Sequence, residues 1–244
     1  MTMKLYQFAI SHFSEKVRWA LDYKNLNYQP VFLLPGAHIK PIRRMAPLSS
    51  VPVLDHDGEI VQGSAEILEY LENQFPETSL TGDDDQTKAG ALAWQQRLDD
   101  EAGPAIRTWA YHYLLQRPKQ VAPMLAAQTP FYNRYLLRLG FSRVDEVMRD
   151  WMKINQKTAD SSQATLEALV KELAEIYQQR RFLVGDQFTR ADLTACSLLA
   201  PLFQPPEYPV PWPKPTRVPK PVQAWLSEWQ AAIDPIAAVY RQNR

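Results

Sequence analysis

The sequence predicts an α/β domain followed by an all-α domain. Three observations carry this. Up to residue 76, short apolar strand patterns alternate with helical ones in the order β-α-β, then β-β-α. Beyond residue 84, apolar residues recur at the helical period. A polar stretch holding Pro76, Gly82 and three consecutive aspartates, Asp83 to Asp85, lies between the two.

Residues 5–10 read as the first strand. In 14–24, Val17, Ala20 and Leu21 share one helical face. Residues 28–34 read as a second strand, parallel to the first because a helix connects them. Residues 51–54 and 59–61 flank Asp57-Gly58, a turn dipeptide, and read as a hairpin. Ser64 caps a helix carrying Ile67, Leu68 and Leu71. This order is that of a thioredoxin-like domain over 1–76. A linker over 77–83 leads into a helix start, where the aspartates complement the helix dipole. The helical domain spans 84–244. Gly103-Pro104 kinks or breaks the long pattern over 86–116. The sets Val144, Val147, Met148, Trp151, Ile154 and Leu166, Leu169, Val170, Leu173, Ile176, Tyr177 keep the helical period. So does Val222, Trp225, Leu226, Trp229, Ile233. Residues 201–221 hold nine prolines in 21 positions and form a loop wrapping the helical domain, with a partner-binding polyproline segment as the alternative.

Composition narrows the function classes. Among 244 residues, 45% are hydrophobic, enough for a substantial core. Lys plus Arg and Asp plus Glu are 27 each, so no net field draws the chain to nucleic acid or anionic lipid. No apolar run approaches the ~20 residues of a membrane span. No signal peptide is read at the N-terminus. The only cysteine, Cys196, leaves no intramolecular disulfide, which fits a cytoplasmic protein. His12, His38, His56 and His112 lack metal-ligand spacing, so no metal is expected.

Four segments carry candidate chemistry. In Ser11-His12-Phe13-Ser14-Glu15-Lys16-Val17-Arg18-Trp19, a hydroxyl lies between a strand and a helix, beside the positive end of the helix dipole. Such a place favours anions, including a thiolate. In Ser50-Val51-Pro52-Val53-Leu54, a proline just before a strand can hold a cis peptide bond. Gly63-Ser64-Ala65-Glu66-Ile67-Leu68 opens a helix on a serine. In the run from Phe182 to Leu193, Thr189 and Asp192 form a Thr-x-x-Asp capping box. His12 beside Ser11 does not make a nucleophile–base pair: neighbouring residues rarely have that geometry, and no Asp partner is nearby.

In this order, the four segments resemble the cytosolic glutathione S-transferase family, whose architecture joins a thioredoxin-like domain to a helical one. The resemblance implies glutathione as co-substrate. It puts Ser11 in the place of the family's catalytic Ser or Cys, with Ser14 as runner-up and Tyr6 read as packing. Val51, ahead of Pro52, would offer its backbone to the cysteinyl unit. Ser64 and its helix N-terminus would hold the γ-glutamyl carboxylate, or Ser64 is only a cap. Gly63 departs from the pattern, which has an acidic residue or Gln there, and Glu66 replaces a small residue. Gly63→Gln is therefore expected to tighten binding by about 1 kcal/mol, provided that Gln suits the backbone there, a condition that a positive φ at Gly63 would undermine. His38 and Lys40 would reach the glycyl carboxylate, or belong to a solvated basic loop. Phe13, Ile106, Trp109 and Tyr113 would line the pocket for a small hydrophobic electrophile, or the last three are core. A homodimer is implied. The reaction implied is transfer of glutathione thiolate to the electrophile. A non-catalytic binding or regulatory relative, or a glutathione-dependent dehalogenase, isomerase or peroxidase, are the alternatives. With Ser at position 11, no thiol transfer dependent on an enzyme cysteine is expected.

Overall fold

The computed structural model describes residues 2–214 and 217–244; Met1, and Pro215 and Thr216 of the proline-rich segment, lie outside the described residues. Strand β1 (Met3–Gln7), helix α1 (His12–Tyr23) and strand β2 (Gln29–Phe32) form the parallel unit. Strands β3 (Val53–His56) and β4 (Glu59–Gln62) form the hairpin. Its turn residues Asp57 and Gly58 both have positive φ, 50° and 94°, as a tight two-residue hairpin turn requires. The sheet order is β2-β1-β3-β4, with β3 antiparallel to β1. A short helix α2 (Ile39–Arg43) precedes β3, and α3 (Ser64–Gln74) follows β4.

The helical domain opens with α4 (Asp85–Asp100), capped by the Asp84 carboxylate, which accepts the Thr87 N–H at 2.9 Å. The chain breaks at Glu101 and continues as α5 (Ala102–Leu114). Pro104 falls in the first turn of α5, where its missing N–H leaves no gap in the ladder. Three helices follow: α6 (Pro118–Leu125), α7 (Asn133–Leu139) and α8 (Phe141–Met152). Long α9 (Gln156–Gln179), α10 (Arg190–Phe203) and α11 (Lys220–Asn243) complete the domain. The capping box forms: Thr189 and Asp192 exchange bonds at the start of α10. Burial pushes the Asp192 carboxyl up to about 6, even though it accepts from the Leu183 and Thr189 N–H groups and the Tyr177 hydroxyl. The proline-rich segment is shorter than its composition implies. Pro201 lies within the last turn of α10, and Pro221 within the first turn of α11. Of the rest, residues 204–214 form a loop on the helical domain: Tyr208 is buried, and Trp212 Nε1–H donates to the Pro205 carbonyl at 2.9 Å.

One apolar core runs through both domains. Leu5, Val17, Leu54 and Leu68 join Leu169, Leu199 and Ile236 in a single buried cluster. Each such side chain contributes about 1.5–3 kcal/mol on burial. Helix α1 is the joint. Its Trp19 ring meets Tyr240 edge-on at 4.8 Å and donates Nε1–H to the Asn243 carbonyl at 3.0 Å. Charged contacts fix the same joint. The fully buried Lys16 ammonium reaches both oxygens of Asp99, at 2.8 and 2.6 Å, and Arg190 pairs with Glu69 at 2.8 Å. Helix α1 is therefore held against α4 by an ion pair and against α11 by packing, and α3 against α10 by a second ion pair. Among the described residues, no helix is long and apolar enough to cross a membrane.

Candidate active site

The antiparallel register places three segments at one end of the sheet. Tyr6 pairs with Val53, and Val53 with Gln62. The turn after β1, the residues before β3 and the start of α3 after β4 therefore meet there. The turn after β1 carries Ser11. Its three preceding carbonyls are all held: Phe8 O accepts the Ser11 N–H at 3.1 Å, Ala9 O accepts from Arg18 at 3.4 Å, and Ile10 O accepts the Tyr208 hydroxyl at 2.9 Å. Ser11 is the N-cap of α1, and its Oγ accepts the Ser14 N–H at 3.2 Å. That bond uses an acceptor lone pair and leaves the O–H free to donate outward. Ser14 does not cap. It is fully buried, and its Oγ has no hydrogen-bond partner. Tyr6 packs against Ile42, Ala46 and Val53 on the far face of the sheet.

The Val51–Pro52 bond is cis. Pro52 O accepts the Gly63 N–H at 3.1 Å, tying this turn to the start of α3. The Gln62 side chain, which sequence reading missed, clamps the loop ahead of Val51. Its Nε2 donates to the Leu48 and Ser50 carbonyls, both at 2.8 Å, and its Oε1 accepts the Leu48 N–H at 3.0 Å. Gly63, not Ser64, is the N-cap of α3, and Ser64 is the first helical residue. The expected gain from Gly63→Gln is overturned. Gly63 has φ +108°, a conformation that L side chains rarely adopt, and the Glu66 carboxylate already fills the space a Cβ would take. This substitution is expected to cost about 1 kcal/mol or more of stability and to leave glutathione affinity no tighter, as thermal melts and calorimetry would show. His38 is half-buried, packed edge-on to Phe8 at 4.7 Å, with Nδ1 accepting the Gly36 N–H at 3.0 Å. Lys40 is exposed on α2.

His12 points away from Ser11. Its Nε2–H donates to the Gly103 carbonyl at 3.1 Å, and burial and the nearby Arg107 lower its pKa to about 3. A neutral imidazole turned into the domain joint is no base for Ser11. The unfolded chain takes up this proton first as pH falls from about 6.5, the ordinary His value. Between about 6.5 and 3 this residue therefore lowers stability progressively. His12→Gln is expected to remove that part of the acid loss, read as the difference between melting temperatures of the two proteins across this range.

Phe13 packs directly on Gly103, where any Cβ would strike its ring. The other three expected pocket residues do not join it. Ile106, Trp109 and Tyr113 lie on a different face of α5. There they line a cavity of about 70 Å³ with Met124, Trp212 and Leu226, all within the helical domain. Trp109 donates to Gln163 at 3.3 Å and packs on Trp225 at 4.8 Å. The face of α5 turned to the start of α1 carries Gly103, Arg107 and Tyr111, four residues apart. Tyr111 and Leu114 pack against one buried cluster, built on Leu115, Val121 and Leu125, that Ile10 and Leu34 of the first domain and Val144 and Met148 of α8 also border. The signal for this face was the Gly103 position itself, counted forward by one turn at a time. Cys196 is buried, its thiol pushed up by burial and bonded to the Ile236 carbonyl at 3.6 Å, so it offers no attacking thiolate.

The architecture is thus a thioredoxin-like domain followed by a helical one, with an anion-favouring hydroxyl at the end of the sheet. Residues 5–79 match the family model described as glutathione S-transferase, N-terminal domain, and residues 123–227 match glutathione S-transferase, C-terminal domain. The chain belongs to the glutathione S-transferase family. It is similar to Glutathione S-transferase 1 of Dianthus caryophyllus, 40% identical over 90 residues, 36% of this chain and 41% of that protein. It is also similar to Protein LigF of Sphingobium sp., 35% identical over 118 residues, 46% of each chain. The aligned stretches span less than half the length of these curated relatives. Over the whole fold, it superposes on the crystal structure of the β-etherase LigF from Sphingobium with a TM-score of 0.62 and 22% identity, covering 99% of this chain and 100% of that one. At that identity, the superposition speaks for the fold alone.

Proposed function

We propose that this protein binds glutathione and transfers its thiolate to a small electrophile. The observation that carries this reading is the convergence, at one end of the sheet, of the Ser11 hydroxyl, the Val51–Pro52 turn and the start of α3. A free thiol of the cysteine type titrates near 8.5, so little is ionised at neutral pH. A hydroxyl donating to the sulfur beside the N-terminus of α1 stabilises the thiolate and raises the fraction ready to attack. The Val51 backbone, next to Pro52, holds the cysteinyl unit, and Ser64 with the N-terminal N–H groups of α3 holds the γ-glutamyl carboxylate. His38 and Lys40 serve the glycyl carboxylate. Phe13 belongs to the wall facing the second substrate. The thiol proton leaves to solvent, because His12 is turned away. The protein works as a homodimer in the cytoplasm, and a dimer mass by light scattering at micromolar concentration is expected.

The test is calorimetry with glutathione on the intact protein. A Kd of about 1 mM or tighter is expected, and no heat up to several times that concentration would overturn the reading. One observation favours a second reading, a non-catalytic relative: Gly63 supplies no side chain to the γ-glutamyl group, and its backbone conformation admits none readily. Binding without conjugation of any tested electrophile is the outcome that selects it.

A further inference from the structure

Arg107 has no role in the chemistry above, and its surroundings need one. Its Nε is buried with no acceptor, and among the described residues its guanidinium makes neither a hydrogen bond nor an ion pair. The other arginines that lack a carboxylate partner, such as Arg44, Arg138 and Arg180, are exposed, where water serves them. Arg107 is half-buried, one turn along α5 from the Gly103 carbonyl that holds His12, and so beside the residue that follows Ser11. Its Cζ lies 5.5 Å from the centre of the Trp151 ring, on α8, and its charge opposes protonation of His12. Tyr111, the next residue on this face, borders the same buried apolar cluster as Ile10 and Leu34. A lone guanidinium fork is thus set in an apolar seam between the first domain, α5 and α8, with an aromatic ring over it.

We propose that Arg107 is the specificity residue of the second-substrate site, and that it selects electrophiles bearing a carboxylate. The planar fork matches a carboxylate in two parallel hydrogen bonds, and a half-buried place makes such bonds stronger than they are in water. The apolar body of the substrate lies along Ile10, Leu34 and Tyr111, which directs its reactive carbon toward the thiolate at Ser11; there the carbon–sulfur bond forms, the bond to the leaving group breaks, and that group departs to solvent with the electron pair, as chloride does from a chloronitrobenzoate. This inference rests on the glutathione reading. It differs from the expectation of a purely hydrophobic electrophile.

The test compares 4-chloro-3-nitrobenzoate with 4-chloro-3-nitrobenzamide, its neutral counterpart of nearly equal shape. Each kcat/KM is divided by the uncatalysed rate with glutathione. The unmodified protein is expected to favour the acid by about tenfold or more, the worth of a hydrogen bond to a charged group. In Arg107→Gln that ratio is expected to fall to about one, while Arg107→Lys keeps part of it. No preference in the unmodified protein overturns the proposal, whether or not the variants fold. So does a preference that survives in folded Arg107→Gln. A ratio unchanged in Arg107→Gln with a raised KM for glutathione also overturns it, because Arg107 then serves a carboxylate of glutathione. Calorimetry of 4-nitrobenzoate against 4-nitrobenzamide separates this proposal from the glutathione reading. Arg107-dependent binding of the acid without any conjugation supports the anion site and sinks the transferase. Glutathione binding and conjugation with no preference for the acid does the reverse.

Discussion

Ser11→Ala is expected to lower turnover about a hundredfold and to leave glutathione affinity almost unchanged. Removing one preorganised donor to a developing anion costs ~3 kcal/mol, which is roughly that factor in rate. The donor is preorganised because Ser11 Oγ accepts the Ser14 N–H and the carbonyls of the preceding turn are all occupied. The pH at which bound thiolate appears in ultraviolet absorbance should rise in the same variant. Ser11 also caps α1, so alanine costs about 1 kcal/mol of stability as well. Ser11→Thr keeps both a hydroxyl and a cap and should recover part of the rate, which separates the two effects. Ser14→Ala is the control. That hydroxyl is buried without a partner, so its removal should change neither turnover nor thiolate titration. Unchanged turnover and titration in folded Ser11→Ala would remove Ser11 from the mechanism.

What the sequence made legible follows from where the information is local. The strands, the hairpin and the capping box at Thr189 and Asp192 were readable because alternation, a turn dipeptide and a fixed spacing each act within a few residues. The family's motifs pointed to the end of the sheet as the candidate site. Helices α2, α6 and α7 were not foreseen. They have five, eight and seven residues, too few for a periodic stripe, and α6 starts on Pro118 and contains Pro123. The stripe Ile106, Trp109, Tyr113 read as pocket or core, and it lines a small cavity within the helical domain. Periodicity finds a stripe such as Ile106, Trp109, Tyr113, but it does not say which neighbour the stripe meets. The helix–helix core took the aromatic stripe, and the seam beside Ser11 took Arg107 and Tyr111. Gln62 and Tyr208 were invisible for a related reason. Each acts on backbone carbonyls, of Leu48 and Ser50 in one case and of Ile10 in the other, and no side-chain pattern marks such a partner.

Glu15→Ala is expected to cost about 3–5 kcal/mol of stability, the largest loss from any single change at the domain joint. Glu15 is fully buried on α1. Its carboxylate accepts from Arg18 Nε at 2.7 Å, from the Tyr240 hydroxyl at 2.8 Å and from Arg244 Nε at 2.9 Å. Two cations and a phenol from opposite ends of the chain converge on one acid. Without it, the buried Arg18 guanidinium loses its counter-charge and Arg244 keeps only Asp22, at 2.7 Å. Breaking a buried pair by removing one partner is costly because the other charge stays desolvated. Against a total stability of about 5–15 kcal/mol, such a loss should lower the melting temperature by roughly 10 °C or more. Tyr240→Phe removes one neutral donor from the same acid and should cost only about 1 kcal/mol. Function registers the change too. Arg18 also donates to Gln7 Oε1 at 2.6 Å and to Ala9 O at 3.4 Å, so it holds the turn that carries Ser11. At a temperature where Glu15→Ala remains folded, turnover should still fall while the Tyr240→Phe protein keeps its rate. A Glu15→Ala protein that melts within a degree or two of the unmodified one would show that water or a rearranged Arg18 replaces this carboxylate at little cost, and the joint would then depend on Trp19 and the Lys16–Asp99 pair instead.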